Sequence, residues 1–208
     1  MNFEILFSFV LATAALAISP GPDNIYVLMQ SITNGRKYGL ATVCGLISGC
    51  LVHTTLVAFG VSAIIKESDT LFFIIKALGA IYLLYLAYKV FKSDANVTLS
   101  DAAVPKKSLG QLFKQGVIMN VLNPKVSIFF LAFFPAYLYS ETINTVTQFY
   151  VLGLLFMTTS FAVFALIAIL AGFISDYLKQ NKNIGLILKW LQIVVFIGIA
   201  IFIFLSEK

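Results

Sequence analysis

The sequence predicts an all-α integral membrane protein: six transmembrane helices arranged as two inverted three-helix repeats, with helices one and four broken near the midplane. Three observations carry that expectation. The first is composition. Of 208 residues, 60% are hydrophobic and only 11% charged, with a mean hydropathy of +0.97. A soluble domain carries about 25% charged residues, because its whole surface must be solvated. The second is that the apolar residues come in runs: Tyr38 to Ile65 and Thr142 to Ser175 contain no Asp, Glu, Lys or Arg. Each exceeds the roughly 20 residues that span a bilayer as helix. The third is a pair of Gly/Pro interruptions, one in each half of the chain.

The elements follow in order. The start, MNFEILFSFVLATAALAISP, has the small residues of a signal-peptide cleavage site, but a signal begins with positive charge and the only early charge is Glu4. It reads as a first helix that is retained. Charge-poor runs and polar punctuation then place spans at about 6–30, 38–65, 70–91, 112–139, 143–174 and 184–204. The connectors are short except for 92–111 (KSDANVTLSDAAVPKKSLGQ), a linker that divides repeat 1 (about 1–91) from repeat 2 (about 112–208) within one transporter-like domain.

The net charge of +5 on such a chain does not point to nucleic acid; what matters is where Lys and Arg lie relative to the spans. Arg36, Lys37, Lys89, Lys92, Lys106, Lys107, Lys114, Lys179, Lys182 and Lys189 flank the first, third and fifth connectors, against Lys66, Lys76 and Lys208 on the other side. The positive-inside rule therefore places those connectors in the cytoplasm and both termini outside. Three crossings invert the second triplet relative to the first, the architecture of transporters whose substrate site lies where the repeats meet.

In span one the interruption is Ser19-Pro20-Gly21-Pro22-Asp23-Asn24. Two prolines lack amide hydrogens and the helical ladder must fail. Gly21 suits the N-cap and Pro22 the first turn of a second half-helix, with Asp23 at its positive end. In span four, Asn120-Val121-Leu122-Asn123-Pro124-Lys125 repeats that grammar, with Asn123 as N-cap and Pro124 at the first helical position. Pro135 offers a second kink. Asp23 and Lys125 are the charges placed deep inside spans, where burial is costly and usually functional. One reading is a structural salt bridge that pins the halves together. The other gives the charges a ligand: Asp23 attracts an ammonium, while Lys125 and the open amides of a half-helix attract a carboxylate. A zwitterionic amino acid carries both groups. Asp23, Asn24, Asn123 and Lys125 are thus the candidate substrate or coupling residues, with protons as the coupling ion.

Gly45, Gly49 and His53 form one stripe along span two, a small-residue surface for close helix packing. His53 is the single histidine of the chain; it reads either as a group hydrogen-bonded at a helix contact or as a cavity-lining proton relay. Cys44 and Cys50 diverge on the helix and are not a redox pair. Phe129, Phe130, Phe133 and Phe134 read as lipid-facing filler, with a cavity wall as the other option. No metal site, cofactor motif, nucleophile–base constellation or nucleotide-binding loop is visible, so the chain does not read as an enzyme.

The SPGPDN break, the glycine-rich second span and the LNPK break together resemble the LysE/RhtB family of amino-acid exporters (LysE-type translocators), over essentially the whole chain. The resemblance implies a bacterial inner-membrane location and efflux of amino acids. It also implies a secondary transporter driven by proton-motive force that works as a homodimer. The single carboxylate offset by one lysine tilts the substrate towards neutral amino acids such as homoserine, threonine or leucine, with basic ones as the other option. Competing readings are metal-cation efflux, which wants several intramembrane carboxylates; thiol–disulfide electron transfer, which wants facing cysteines; and a non-transporting assembly partner, for which the buried charges have no evident purpose.

Overall fold

The computed structural model describes residues 3–93, 107–180 and 184–205. Most of the linker expected over 92–111 therefore lies outside the described residues, as do Lys106, Lys182 and Lys208. The described residues are helical throughout their regular structure, without a strand. α1 (Phe3–Ile18) and α2 (Pro22–Asn34) meet at a 62° bend. α3 (Arg36–Leu56) runs through a π-helical turn at Val57–Val61 into α4 (Ser62–Glu67), and α5 (Asp69–Lys92) follows. α6 (Leu109–Val121) meets α7 (Pro124–Phe133) at a 54° bend, and a 3-10 turn at Phe134–Tyr137, built around Pro135, ends that arm. α8 (Thr145–Ile169), α9 (Ala171–Gln180) and α10 (Ile184–Leu205) complete the chain.

Four helical segments, Arg36–Ile65, Asp69–Lys92, Thr145–Ile169 and Ile184–Leu205, are long and apolar enough to cross a bilayer, and each bent pair adds a crossing if it spans as one unit. The protein is an integral, multi-pass membrane protein. Polar caps stop the helices at their ends. The Ser68 hydroxyl accepts from Leu71 N, Ser108 and Gln111 form a reciprocal capping box, and Asn144 accepts from Val146 N. The span expected over 143–174 ends early: α8 stops at Ile169 and the chain turns at Leu170 into α9. The reason is composition. From Ser175 onward, the pairs Ser175-Asp176 and Lys179-Gln180 bracket Tyr177 and Leu178, and an amphipathic segment suits an interface rather than a bilayer interior.

Contacts fix the relative directions of the helices. Gly45 lies against Gly116 and Gly49 against Asn120, so α3 and α6 run parallel. Gly39 meets Ala168 and Gly153 meets Thr54, so α3 and α8 are antiparallel. α5 and α10 are also antiparallel, with the Phe91 and Trp190 rings 6.1 Å apart at one end. α7 and α10 are parallel, linked by Lys125 to Phe196 and by Tyr137 to Phe202. These registers put the chain ends near 35, 92, 109 and 184 together at one end of the bundle. The α1 N-terminus, Tyr137 and the start of α8 lie at the other, where Phe9 packs on Tyr137 at 5.2 Å.

Helices approach closely where side chains are small, the packing mode available when lipid is as apolar as the partner helix. A methyl on Gly45 would run into the Phe113 carbonyl, and one on Gly49 would sit 2.7 Å from Asn120 Oδ1. α7 lies in the middle of the bundle. Phe129, Phe130, Phe133 and Phe134 are all fully buried, which corrects the lipid-facing assignment. Phe129 stacks on Phe133 and Phe130 on Phe134, each pair with centroids 4.2 Å apart. An all-round apolar helix reads the same whether lipid or protein surrounds it. At the far end, Gln148 is 2% exposed yet fully satisfied. Its Oε1 accepts from Tyr139 N and Ser140 N, and its Nε2 donates to the Ser140 and Ile143 carbonyls. One side chain thus supplies the backbone partners that the 138–144 turn lacks.

Candidate functional site

Both helix breaks converge on one cavity of about 60 Å³. Gly21, Pro22, Asp23 and Asn24 line it from the first break, Asn120, Asn123 and Lys125 from the second, and Cys50 from α3. Leu16, Leu46, Ile47, Val126, Phe129, Phe156 and Phe164 form its apolar wall. At roughly 15 Å³ per water on the same measure, it holds about four waters rather than a whole amino acid.

Each break keeps its polar backbone busy in a different way. Asn123 caps α7 with its own side chain, Oδ1 accepting from Lys125 N at 3.0 Å. Its amide end donates to Asp23 Oδ2 at 3.0 Å. α2 starts at Gly21, which has no side chain to offer, and no side chain caps it. The first-turn amides of a helix have no partner within the helix, so α2 presents an open positive end beside the cavity. Asn24 faces back across the break, its Nδ2 donating to the Ala17 carbonyl at 2.7 Å and satisfying part of the last turn of α1.

Asp23 and Lys125 line the same cavity, but they form no direct ion pair among the described residues. The salt-bridge reading is therefore not what the structure shows. Lys125 Nζ points instead towards Gly21, 3.7 Å from where a Cβ there would sit, and lies 4.8 Å from the centroid of the Phe196 ring. Among the described residues its three N–H donors have no acceptor. Ser160 Oγ, on the cavity wall, and Asn120 Oδ1 are buried without a partner as well.

The remaining sequence candidates sit apart. Ser19 is buried at the first break with its hydroxyl unpartnered, Pro20 lines a separate apolar groove beside Asn24, and Pro124 is exposed at the second. His53 is 4% exposed and does not reach the cavity. Its Nε2 lies 3.2 Å from the Asn120 carbonyl and its ring packs 5.4 Å from Phe130, on the far side of Asn120. Cys44 is exposed and Cys50 buried, both free. Among the described residues no group of His, Cys, Asp and Glu is placed to hold a metal ion. The residues missed from sequence are Asn120, Ser160, Phe156, Phe164 and Phe196. Asn120 alone carried a signal, as a second Asn in the second break.

Two broken helices thus bring one part-buried acid and one part-buried base to a shared cavity. The LysE type translocator family model covers residues 14–207. The chain belongs to that family. Among curated LysE-type relatives, the leucine efflux protein of Salmonella choleraesuis (strain SC-B67) is 27% identical over 194 residues, covering 93% of this chain and 92% of the relative. The leucine efflux protein of Salmonella typhimurium matches to the same extent. The homoserine/homoserine lactone efflux protein of Salmonella typhimurium is 30% identical over 183 residues, 88% of each chain. No solved structure matches the LysE-type chain described here.

Proposed function

We propose that this LysE-type translocator is a secondary transporter that exports neutral amino acids from the cytoplasm across the bacterial inner membrane. The observation that carries the proposal is the Lys125 ammonium, which lacks an acceptor and lies beside the uncapped start of α2 on a cavity that also holds Asp23. An α-carboxylate satisfies Lys125 and the α2 amides together, and an α-ammonium satisfies the free lone pairs of Asp23. The rest of the wall is mostly apolar and offers no further charge, which favours uncharged side chains. The relatives are named for leucine and for homoserine, in keeping with that choice.

The six-span arrangement in two inverted repeats is supported by the packing. α3 runs parallel to α6, and α2, which folds back on α3 with Ser31 against Gly39, runs parallel to α8, while α5 faces α10 antiparallel. Alternating access follows as movement of the two halves about the cavity, with the end carrying Arg36, Lys37, Lys92, Lys107 and Lys189 cytoplasmic and both termini outside. Proton coupling runs through Asp23, whose carboxylate exchanges a proton for the substrate ammonium. The cavity volume implies that the half-helices separate to admit substrate.

The test is Asp23→Asn, assayed for export of radiolabelled L-leucine and L-homoserine from preloaded cells. Export is expected to fall at least a hundredfold while the protein still accumulates in the membrane. Undiminished export with either amino acid sinks the role of Asp23. Relief of toxicity by metals rather than amino acids sinks the substrate class.

A further inference from the structure

The Lys125 ammonium, part-buried on a mostly apolar cavity and without an acceptor among the described residues, needs some source of stabilisation when no substrate is present. Asp23 is the obvious partner and is not in direct contact; it is occupied by Asn123. The group in contact is Phe196, on α10, 1% exposed, with its ring centroid 4.8 Å from Lys125 Nζ. That lies within the roughly 6 Å over which a ring quadrupole attracts a cation. We infer that Phe196 is a positioning residue, which holds the Lys125 ammonium over its face between transport cycles and keeps it from collapsing onto Asp23.

The two kinds of partner differ in what they leave free. A carboxylate takes both the charge and the N–H donors of a lysine, and a desolvated Asp23–Lys125 pair would have to be broken before each substrate could bind. An aromatic face balances the charge but accepts no conventional hydrogen bond, so all three donors remain available to an incoming carboxylate. Phe196 therefore lets the site hold opposite charges at close range without neutralising itself. It also ties the cation to α10, which runs parallel to α7 and meets the 3-10 turn that follows it at Tyr137 and Phe202, 4.6 Å apart. A shift of α10 along α7 changes the position of the ammonium directly. This inference rests on the substrate reading proposed above.

The test compares Phe196→Leu, which keeps apolar bulk and loses the ring, with Phe196→Tyr, which keeps the ring. Transport of radiolabelled L-leucine and L-homoserine is measured in everted membrane vesicles, and Tm on the detergent-purified protein. Phe196→Leu is expected to raise KM about tenfold with Tm within a few degrees of the unaltered protein, and Phe196→Tyr to stay within about twofold. An unchanged KM in Phe196→Leu overturns the inference, as does an equal loss in both variants. If Phe196→Leu does not accumulate, Phe196→Met takes its place with the same expectation. Lys125→Met separates the two levels. Export that survives in Lys125→Met removes the substrate reading and this inference together. Export lost in Lys125→Met but unaffected by Phe196→Leu removes this inference alone.

Discussion

The two helix breaks share a grammar and differ in their finish. At the second, Asn123 closes its own helix and also holds Asp23. At the first, Gly21 leaves the start of α2 uncapped. A capped helix end has already spent its amides, whereas an uncapped one still has them to give. On the transport reading proposed above, the difference gives the two breaks opposite tasks: the first would receive the negative end of a substrate, and the second would supply the cation and restrain the acid. Local chemistry has thus made the two breaks unequal.

The largest effect that bears on this comparison is expected from Lys125→Met, which removes the cation and keeps the stem. Export should drop at least a hundredfold, and vesicle transport assays that find less than tenfold loss would put the carboxylate site elsewhere. Asn123→Ala comes next. It removes a cap worth about 1 kcal/mol and releases Asp23, so both a lower Tm and a roughly tenfold weaker transport affinity are expected. If only Tm falls, the restraint on Asp23 has no functional weight. The smallest and most discriminating change is Gly21→Ser. Gly21 has extended backbone, φ −152°, and a Cβ there meets only ordinary contacts at 3.7 Å, so serine fits. Its hydroxyl caps α2, and a gain of a few tenths of a kcal/mol in stability is expected. Competition with the substrate carboxylate should raise KM about threefold. A variant that gains stability without losing affinity would show that α2 amides do not meet substrate.

How much of this was legible in the sequence depends on what each residue does to the backbone. Pro22, Gly21, Pro124 and Asn123 act locally, so both breaks could be placed within a residue or two, and the charges beside them followed. Phe196 could not be found that way. It is one of twenty phenylalanines on a helix apolar on every side, and only the packing of α10 on α7 gives it a lysine. The burial of Phe129, Phe130, Phe133 and Phe134 was hidden for the same reason. His53 looked like a site because it is a lone titratable group in an apolar run, yet the rotation of α3 turns it away from the cavity towards the Asn120 carbonyl. The stop at Leu170 carries no proline, and its cause is the amphipathic pattern that begins five residues later.

One acid and one base line the cavity, so its formal charge is zero, and a zwitterion leaves it zero. On the transport reading proposed above, the substrate-loaded form would then cross the membrane field with no electrical work done on it. A lysine cargo would instead carry a full positive charge outward against an inside-negative potential, at about 2.3 kcal/mol per 100 mV. On that reading the matched charges at residues 23 and 125 would uncouple cargo movement from voltage. If Asp23 takes up a proton in exchange, as proposed above, the protonated site carries a net positive charge, and the membrane potential would act on the cycle through that step.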